Sequence, residues 1–435
     1  MKSHITYDLS TATVAFASGK YEEALNECQK LIGADVKQVN VFSLAGNSCI
    51  MLEKLSEAED FFNRAIELDN QNGDLYFYLG HSQYGQDKYA DALSSYAKAD
   101  QLGCSKENQQ KLYYLMGVIS QSQGKKEAAL INYHKATDSD ISSEDQRDII
   151  LNTIQLYMES DELPEAEKYA IQYKLLCPDE FACYQLLFQI YLAEEKFTDA
   201  QNILREATEY CQLEGDNKIK MLFDQVMLLC CLAENDDANK IKNFEQALNI
   251  LNAINSISDL SDANKFEVIV SKAEIFIQLG RKKEALESIK EIASKPNSDD
   301  AEKMEYIERA RLLLTEMLLE NEEYEDARKY ARMLNTSNNP TYKYQALYSE
   351  AYATKKLSKA QPEQKEAVNQ LYERAIAYLR SYCASAPNDL LAFLYRAKAY
   401  ADIGEYDKAR EMCGVLPEEA QQMLEEYINN CQIDS

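Results

Sequence analysis

Apolar and small residues return along this chain in a fixed phrase, and no strand-like alternation is sustained anywhere. The phrase is six residues long: a small or charged opener, a polar residue, usually an aromatic or Leu, two polar or small residues, and an alanine. It runs from Gly19 to Ala24, Glu53 to Ala58, Asp87 to Ala92, Gly124 to Ala129, Asp161 to Ala166 and Glu195 to Ala200. It returns from Lys242 to Ala247, Gly280 to Ala285, Glu322 to Ala327 and Gly404 to Ala409. The first three alanines lie 34 residues apart, and the next steps are 37, 37 and 34. One copy, around Val368, is degraded, and its second half, Leu371 to Ala375, still matches Phe61 to Ala65. Periods of this size mark stacked repeats, each too small to bury its own apolar face. With 7 Pro and 13 Gly among 435 residues, and abundant Ala, Leu, Glu, Lys and Gln, intrinsic propensity favours helix nearly throughout. Pro164 suits a helix start, while Pro178, Pro296, Pro340 and Pro387 are expected between helices.

The third copy carries Tyr76, Leu79, Gly80, Tyr89, Ala92, Tyr96 and Ala99, and the fourth carries Tyr113, Met116, Gly117, Gly124, Ala129, Tyr133 and Ala136. In this register the series resembles the tetratricopeptide repeat (TPR) family, whose unit is a helix–turn–helix of 34 residues. The resemblance covers almost the whole chain. It implies an all-α, right-handed superhelical solenoid of about eleven TPR-like helical hairpins with a C-terminal capping helix. Packing explains the pattern: Gly or Ala on the first helix lets the second approach closely, and aromatics fill the wedge towards the next unit.

Regularity breaks between Ala200 and Ala247, an interval of 47 residues containing a polar run. The expected organisation is a regular array over 1–232, a polar loop or seam at 233–242, a less regular array over 243–416, and a capping helix and tail over 417–435. A second insertion, Ser358 to Gln364, extends the degraded repeat.

The formal charge of −27 opposes binding to phosphate backbones and anionic lipid, so neither nucleic acid nor a membrane is expected as a partner. Eleven unevenly spaced cysteines, several in helical apolar patterns, read as core residues of a reducing compartment. The first eight residues lack the apolar core of a secretion signal, and the longest apolar stretch, Val226 to Ala233, is too short to span a bilayer. A cytoplasmic protein is expected.

Catalytic signatures are missing from the sequence. It contains no Gly-x-Gly and no nucleophile elbow, and Gly80 to Gly85 is followed by Gln86 where a phosphate loop needs Lys. His4, His81 and His134 are remote from one another and have no metal-ligand spacing. No catalytic residue, cofactor or metal is expected, and the chain reads as a non-enzyme.

In the TPR family the first helix of each repeat lines the concave surface, and the resemblance implies that ligands lie there. The register assigns Asp74, Phe77, Tyr78, His81 and Tyr84 of the third repeat, Lys111, Tyr114, Leu115, Val118 and Gln121 of the fourth, and Phe16, Leu44, Asn47 and Ile50 of earlier ones. The candidate peptide-binding groove is therefore Asn47, Phe77, Tyr78, His81, Tyr84, Tyr114 and Val118. Aromatics offer contact area with few rotors, and an amide can hold an extended backbone. A protein or peptide ligand of apolar or basic character follows. Members that hold an acidic chaperone tail use a Lys–Asn clamp, and the matching places here are Leu9, Thr13, Leu44, Asp74 and Tyr78, so that activity does not carry over. The expected function is a protein-interaction scaffold or adaptor. The alternative is a regulatory sensor whose curvature responds to a peptide.

Overall fold

The computed structural model describes residues 9–137, 143–358 and 362–434. The N-terminal residues 1–8, read above for a secretion signal, and the middle of the second insertion, 359–361, lie outside it. Packing divides the chain into two compact units, Met1–Leu213 and Glu214–Ser435.

Among the described residues the first unit contains six hairpins. They are α1 (Ser10–Ala17) with α2 (Tyr21–Gly33), α3 (Val39–Met51) with α4 (Leu55–Leu68), α5 (Gly73–Tyr84) with α6 (Tyr89–Leu102), α7 (Lys106–Ser122) with α8 (Lys126–Thr137), α9 (Ser143–Glu159) with α10 (Leu163–Leu176), and α11 (Phe181–Ala193) with α12 (Phe197–Tyr210). The second contains five hairpins and a final helix. They are α13 (Gly215–Asn235) with α14 (Lys240–Asn255), α15 (Asp262–Gln278) with α16 (Lys282–Ala293), α17 (Ala301–Glu320) with α18 (Tyr324–Leu334), α19 (Pro340–Leu357) with α20 (Lys365–Ser385), α21 (Leu390–Asp402) with the short α22 (Tyr406–Glu411), and lastly α23 (Glu418–Asp434). The described residues form an all-α solenoid of hairpins in each unit, and no strand occurs among them. Each odd-numbered helix up to α21 packs on its even partner, and successive first helices also touch, as α3 with α5, α5 with α7, α17 with α19 and α19 with α21.

The phrase does two jobs in nine of the eleven hairpins, and in α13–α14 only the first of them. Its alanine is core: Ala24, Ala58, Ala92, Ala129, Ala166, Ala200, Ala247, Ala285, Ala327 and Ala409 are fully buried. Its opener stops the first helix. Gly19, Glu53, Asp87, Gly124, Asp161, Glu195, Gly280, Glu322 and Gly404 all have positive φ. The next amide then reaches back five residues, as Lys88 N donates to the Gln83 carbonyl at 3.0 Å and Lys54 N to Cys49 at 2.9 Å. This left-handed stop satisfies carbonyls that would otherwise be orphaned at the helix end. Close approach explains the first-helix glycines: a Cβ on Gly80 would sit 2.8 Å from the Tyr96 ring, and one on Gly46 2.7 Å from Phe62. The Tyr133 ring crowds Gly117 in the same way.

Two local readings change. The polar run at 233–242 is mostly helix: α13 continues through Asn235, and only a tight turn precedes α14. There Asp236 accepts from Ala238 N at 3.0 Å and from Asn239 Nδ2 at 2.7 Å, which holds its carboxyl below the ordinary carboxylate range. The extra length of that interval therefore includes a longer first helix, α13 having 21 residues. Pro340 opens α19 instead of lying between helices, in the first turn where its missing N–H costs no hydrogen bond.

Candidate functional site

Helices α3, α5 and α7 carry the groove read from the sequence. Tyr78 is half-buried, stacked on Phe62 at 5.6 Å, and lies against the same core cluster as Leu44 and Ile50 of α3. Asn47 and Val118 are also half-buried, Asn47 one turn from Leu44 and Val118 beside Tyr114. Tyr84 lies 5.9 Å from Tyr89, ring to ring. The Tyr114 ring is 6.2 Å from Tyr133, and its hydroxyl accepts from Asn152 Nδ2 at 3.4 Å, which ties α7 to α9. Burial pushes the Tyr114 hydroxyl up, with Asp148 and Tyr84 near enough to add to the effect. The structure thus brings Tyr78 together with α3, and Tyr84 and His81 together with α7.

Phe77 must be removed from the exposed set. It is 4 % exposed and packs with Leu112, Ile119 and Tyr96, so its ring fills the wedge between hairpins rather than facing a ligand. Asp74 is likewise structural, since its Oδ1 accepts from Ser105 N at 2.9 Å, Ser105 Oγ at 3.0 Å and Asn108 Nδ2 at 2.8 Å. It ties the third repeat to the fourth.

His81 stacks on Phe77 at 6.2 Å, and its buried Nδ1 has no hydrogen-bond partner in the structure. Burial first, and the Lys111 ammonium second, push its pKa below the ordinary 6.5, so the ring is neutral at pH 7. A depressed histidine pKa gives stability that is complete above the unfolded value and lost as pH falls towards the folded one. We therefore expect His81→Phe to lose less stability than the wild type on acidification. Urea unfolding at about pH 7.5 and about pH 5.5 checks this, and identical losses in both proteins would refute it.

The second unit presents a comparable face that the sequence reading passed over. Counting back 11 residues from the phrase alanine gives His81 from Ala92, and it gives Glu274 from Ala285, Glu316 from Ala327 and Lys398 from Ala409. Counting back 18 gives Glu267 and Arg309. Arg309 of α17 clasps Glu274 of α15 with two bonds of 2.6 Å each. Tyr306 hydrogen-bonds Glu267. Burial pushes the carboxyls of Glu267, Glu274 and Glu316 up, helped at Glu316 by Glu320. Glu316 is nevertheless exposed and has no hydrogen-bond or ion-pair partner among the described residues. Burial also lowers the Lys398 ammonium and raises the hydroxyls of Tyr342, Tyr352 and Tyr395. The Glu316 charge reaches Tyr395, although α19 lies between their helices in sequence.

Among the described residues no three His, Cys, Asp or Glu side chains form a metal site, and no helix is long and apolar enough to cross a membrane. The described cysteines are free thiols, and burial pushes Cys28 and Cys49 up to about 11, away from the thiolate form a nucleophile requires.

No family model matches the chain, and no curated protein matches it. Solved structures do resemble it at low identity. The C-terminal part of a TPR repeat-containing protein from Cytophaga hutchinsonii is 14% identical, with a TM-score of 0.48, over 59% of this chain and 98% of that one. A tetratricopeptide repeat protein from Parabacteroides merdae is 12% identical, with a TM-score of 0.38, over 69% and 96%. YrrB, described as a TPR protein with an unusual peptide-binding site, is 18% identical, with a TM-score of 0.36, over 42% and 91%. A repeated phrase whose alanine is buried and whose opener ends the first helix, in hairpin after hairpin, gives this chain a TPR-like fold.

Proposed function

We propose that the chain is a protein-interaction scaffold that works by binding and not by catalysis, and that the first-helix face of α3, α5 and α7 holds an extended peptide or partner helix with apolar side chains. One observation carries this reading: the half-exposed rings of Tyr78, Tyr84 and Tyr114, with a neutral His81, stand on neighbouring first helices and are held from behind by core contacts. Rings fixed in this way present contact area at little further entropy cost, and Asn47 adds an amide for a backbone. The net charge of −27 favours protein over nucleic acid and suits partners without excess acid. The cytoplasm is the compartment proposed for this work.

The test is to enrich a ligand from a displayed random peptide library on the full chain, and then to measure its affinity for the wild type and for the double substitution Tyr78→Ala, Tyr114→Ala. Loss of two aromatic contacts is expected to weaken binding by more than about tenfold while helicity is kept. Unchanged affinity would remove this face as the site.

A further inference from the structure

Tyr400 of α21 is 5 % exposed, and guanidiniums from two helices converge on it. Arg380, exposed on α20, donates from one Nη to the Tyr400 hydroxyl at 3.1 Å. Arg396, one turn earlier on α21, holds its guanidinium 5.7 Å from the centre of the Tyr400 ring, and its buried Nε has no hydrogen-bond partner. Neither arginine has a carboxylate partner among the described residues, whereas Arg281, Arg309, Arg332 and Arg410 of the same unit each pair with a glutamate. On α22 the Lys408 ammonium lies 5.8 Å from the same ring, and it occupies Glu405, at 3.1 Å. Both α20 and α22 pack on α21, so three helices bring cations to one tyrosine. Burial by itself would raise the Tyr400 hydroxyl, yet Arg380 and Arg396 outweigh it and pull the group below its ordinary 10. A hydroxyl that accepts from a guanidinium keeps its own proton to donate. Two positive charges that share one neutral acceptor repel each other, and an anion placed among them removes that cost.

We propose that Arg380, Arg396 and the Tyr400 hydroxyl form a binding site for a phosphate monoester carried on a side chain of a partner protein, with Lys408 at its margin. The proposal rests on the reading of the chain as a binding scaffold, but not on the Tyr78 and Tyr114 face, which lies in the other unit. Chemistry selects the ligand. Guanidinium forks match the spaced oxygens of a phosphate, and a dianion balances two permanent charges where a carboxylate balances only one. The net charge of −27 repels a polyanion along its whole length, whereas a single phosphate responds mainly to charges within ~8 Å, the screening length at physiological salt.

The probe is a fluorescein-labelled, capped peptide of glycine and serine with one central phosphoserine, titrated into the full chain at about 0.15 M salt, where distant surface charges are screened. Matched peptides carry serine or glutamate at the centre. Saturable binding of the phosphoserine peptide alone is expected. Arg380→Gln should weaken it by about tenfold. Because Arg380 is exposed, this variant is expected to keep its fold, which far-UV circular dichroism verifies. Arg380→Lys keeps the charge without the fork and should recover part of the affinity. Removing two exposed cations from the first unit, by Arg64→Gln and Arg205→Gln, should change it by less than about twofold. Equal weakening by that pair would show that diffuse surface cations attract the probe, and would overturn the proposal. Unchanged affinity in Arg380→Gln, absence of saturable binding, or a glutamate peptide that binds as tightly would overturn it as well. Inorganic phosphate serves as competitor. If it matched the affinity of the phosphoserine peptide, the site would be one for free phosphate, and the partner assignment would fall. None of these outcomes bears on the test at Tyr78 and Tyr114, so the scaffold reading stands or falls separately.

Discussion

Asp402→Ala is expected to destabilise the unit Glu214–Ser435 by about 3–5 kcal/mol, the usual loss when one member of a buried charged network is removed. The Asp402 side chain is 2 % exposed at the end of α21. Its Oδ2 accepts from the hydroxyls of Tyr348 at 3.1 Å and Tyr427 at 2.9 Å, and Lys355 Nζ reaches its Oδ1 at 2.8 Å and its carbonyl at 3.0 Å. The two hydroxyls are also 3.0 Å from each other. One carboxylate thus joins α19, α21 and α23. Burial above all, and then this carboxylate, push the hydroxyls of Tyr348 and Tyr427 far up, so both remain donors at any physiological pH. Truncation to alanine leaves two hydroxyls short of their acceptor, while the half-exposed Lys355 ammonium keeps the backbone carbonyl. Asp402→Asn keeps an acceptor oxygen and should cost less. Since the chain has no Trp, far-UV circular dichroism in urea is the suitable measurement, with limited proteolysis to detect early release of α23. Equal stability of the alanine variant and the wild type would refute the assignment.

Arg311→Met is expected to cost about 3 kcal/mol, although methionine fills much of the same volume. Arg311 is fully buried on α17. Its Nε donates to the Ala293 carbonyl at 3.1 Å, one Nη to Asn297 Oδ1 at 2.8 Å, and the other to the Lys295 carbonyl at 2.6 Å. All three acceptors belong to the end of α16 and the connection after it, so the guanidinium takes the place of a regular helix cap for that hairpin. Glu308, also buried, supplies the nearest opposing charge. Methionine strands the acceptors and leaves Glu308 without that charge. Arg311→Lys should recover only part of the loss, because a single ammonium cannot reproduce the planar fork. The same urea series decides the matter: a methionine variant within about 0.5 kcal/mol of wild type would mean that water or Lys295 satisfies the connection unaided.

The hairpins were legible because their signal is local and repeated. The alanine of each phrase is a packing position at a fixed place on the second helix, so spacing alone locates it, and even the degraded copy reveals itself through Tyr372 and Ala375, both fully buried. The groove was legible only in part. Register assigns a residue to a face of the helix, but it does not fix how deep the side chain sits. Phe77 and Tyr78 are adjacent in sequence, and one is core while the other is half exposed, because the next hairpin covers α5 on one side only. Asp74 has the right register for a groove, yet its partners, Ser105 and Asn108, belong to the following repeat, and no spacing rule names them. The acidic face of the second unit obeys the same count as His81. It was missed because Glu267, Glu274 and Glu316 look like any other acidic helix residue until Arg309 of the next first helix is seen to clasp Glu274. Arg311 and Asp402 gave no sequence signal, since a lone Arg or Asp on a helix ordinarily faces water.

The left-handed stop that closes nine of the eleven first helices has a consequence for biosynthesis. It uses only atoms within five residues, so each of those hairpins carries its own punctuation and is expected to close soon after its second helix emerges from the ribosome. The bond between Tyr348 and Tyr427 spans 79 residues, far more than one repeat. The hairpins with such a stop are therefore expected to close one after another as translation advances. The network that Asp402 makes with Tyr348 and Tyr427 can close only after α23 has been made, so α19 and α21 wait for it with buried polar groups unmatched.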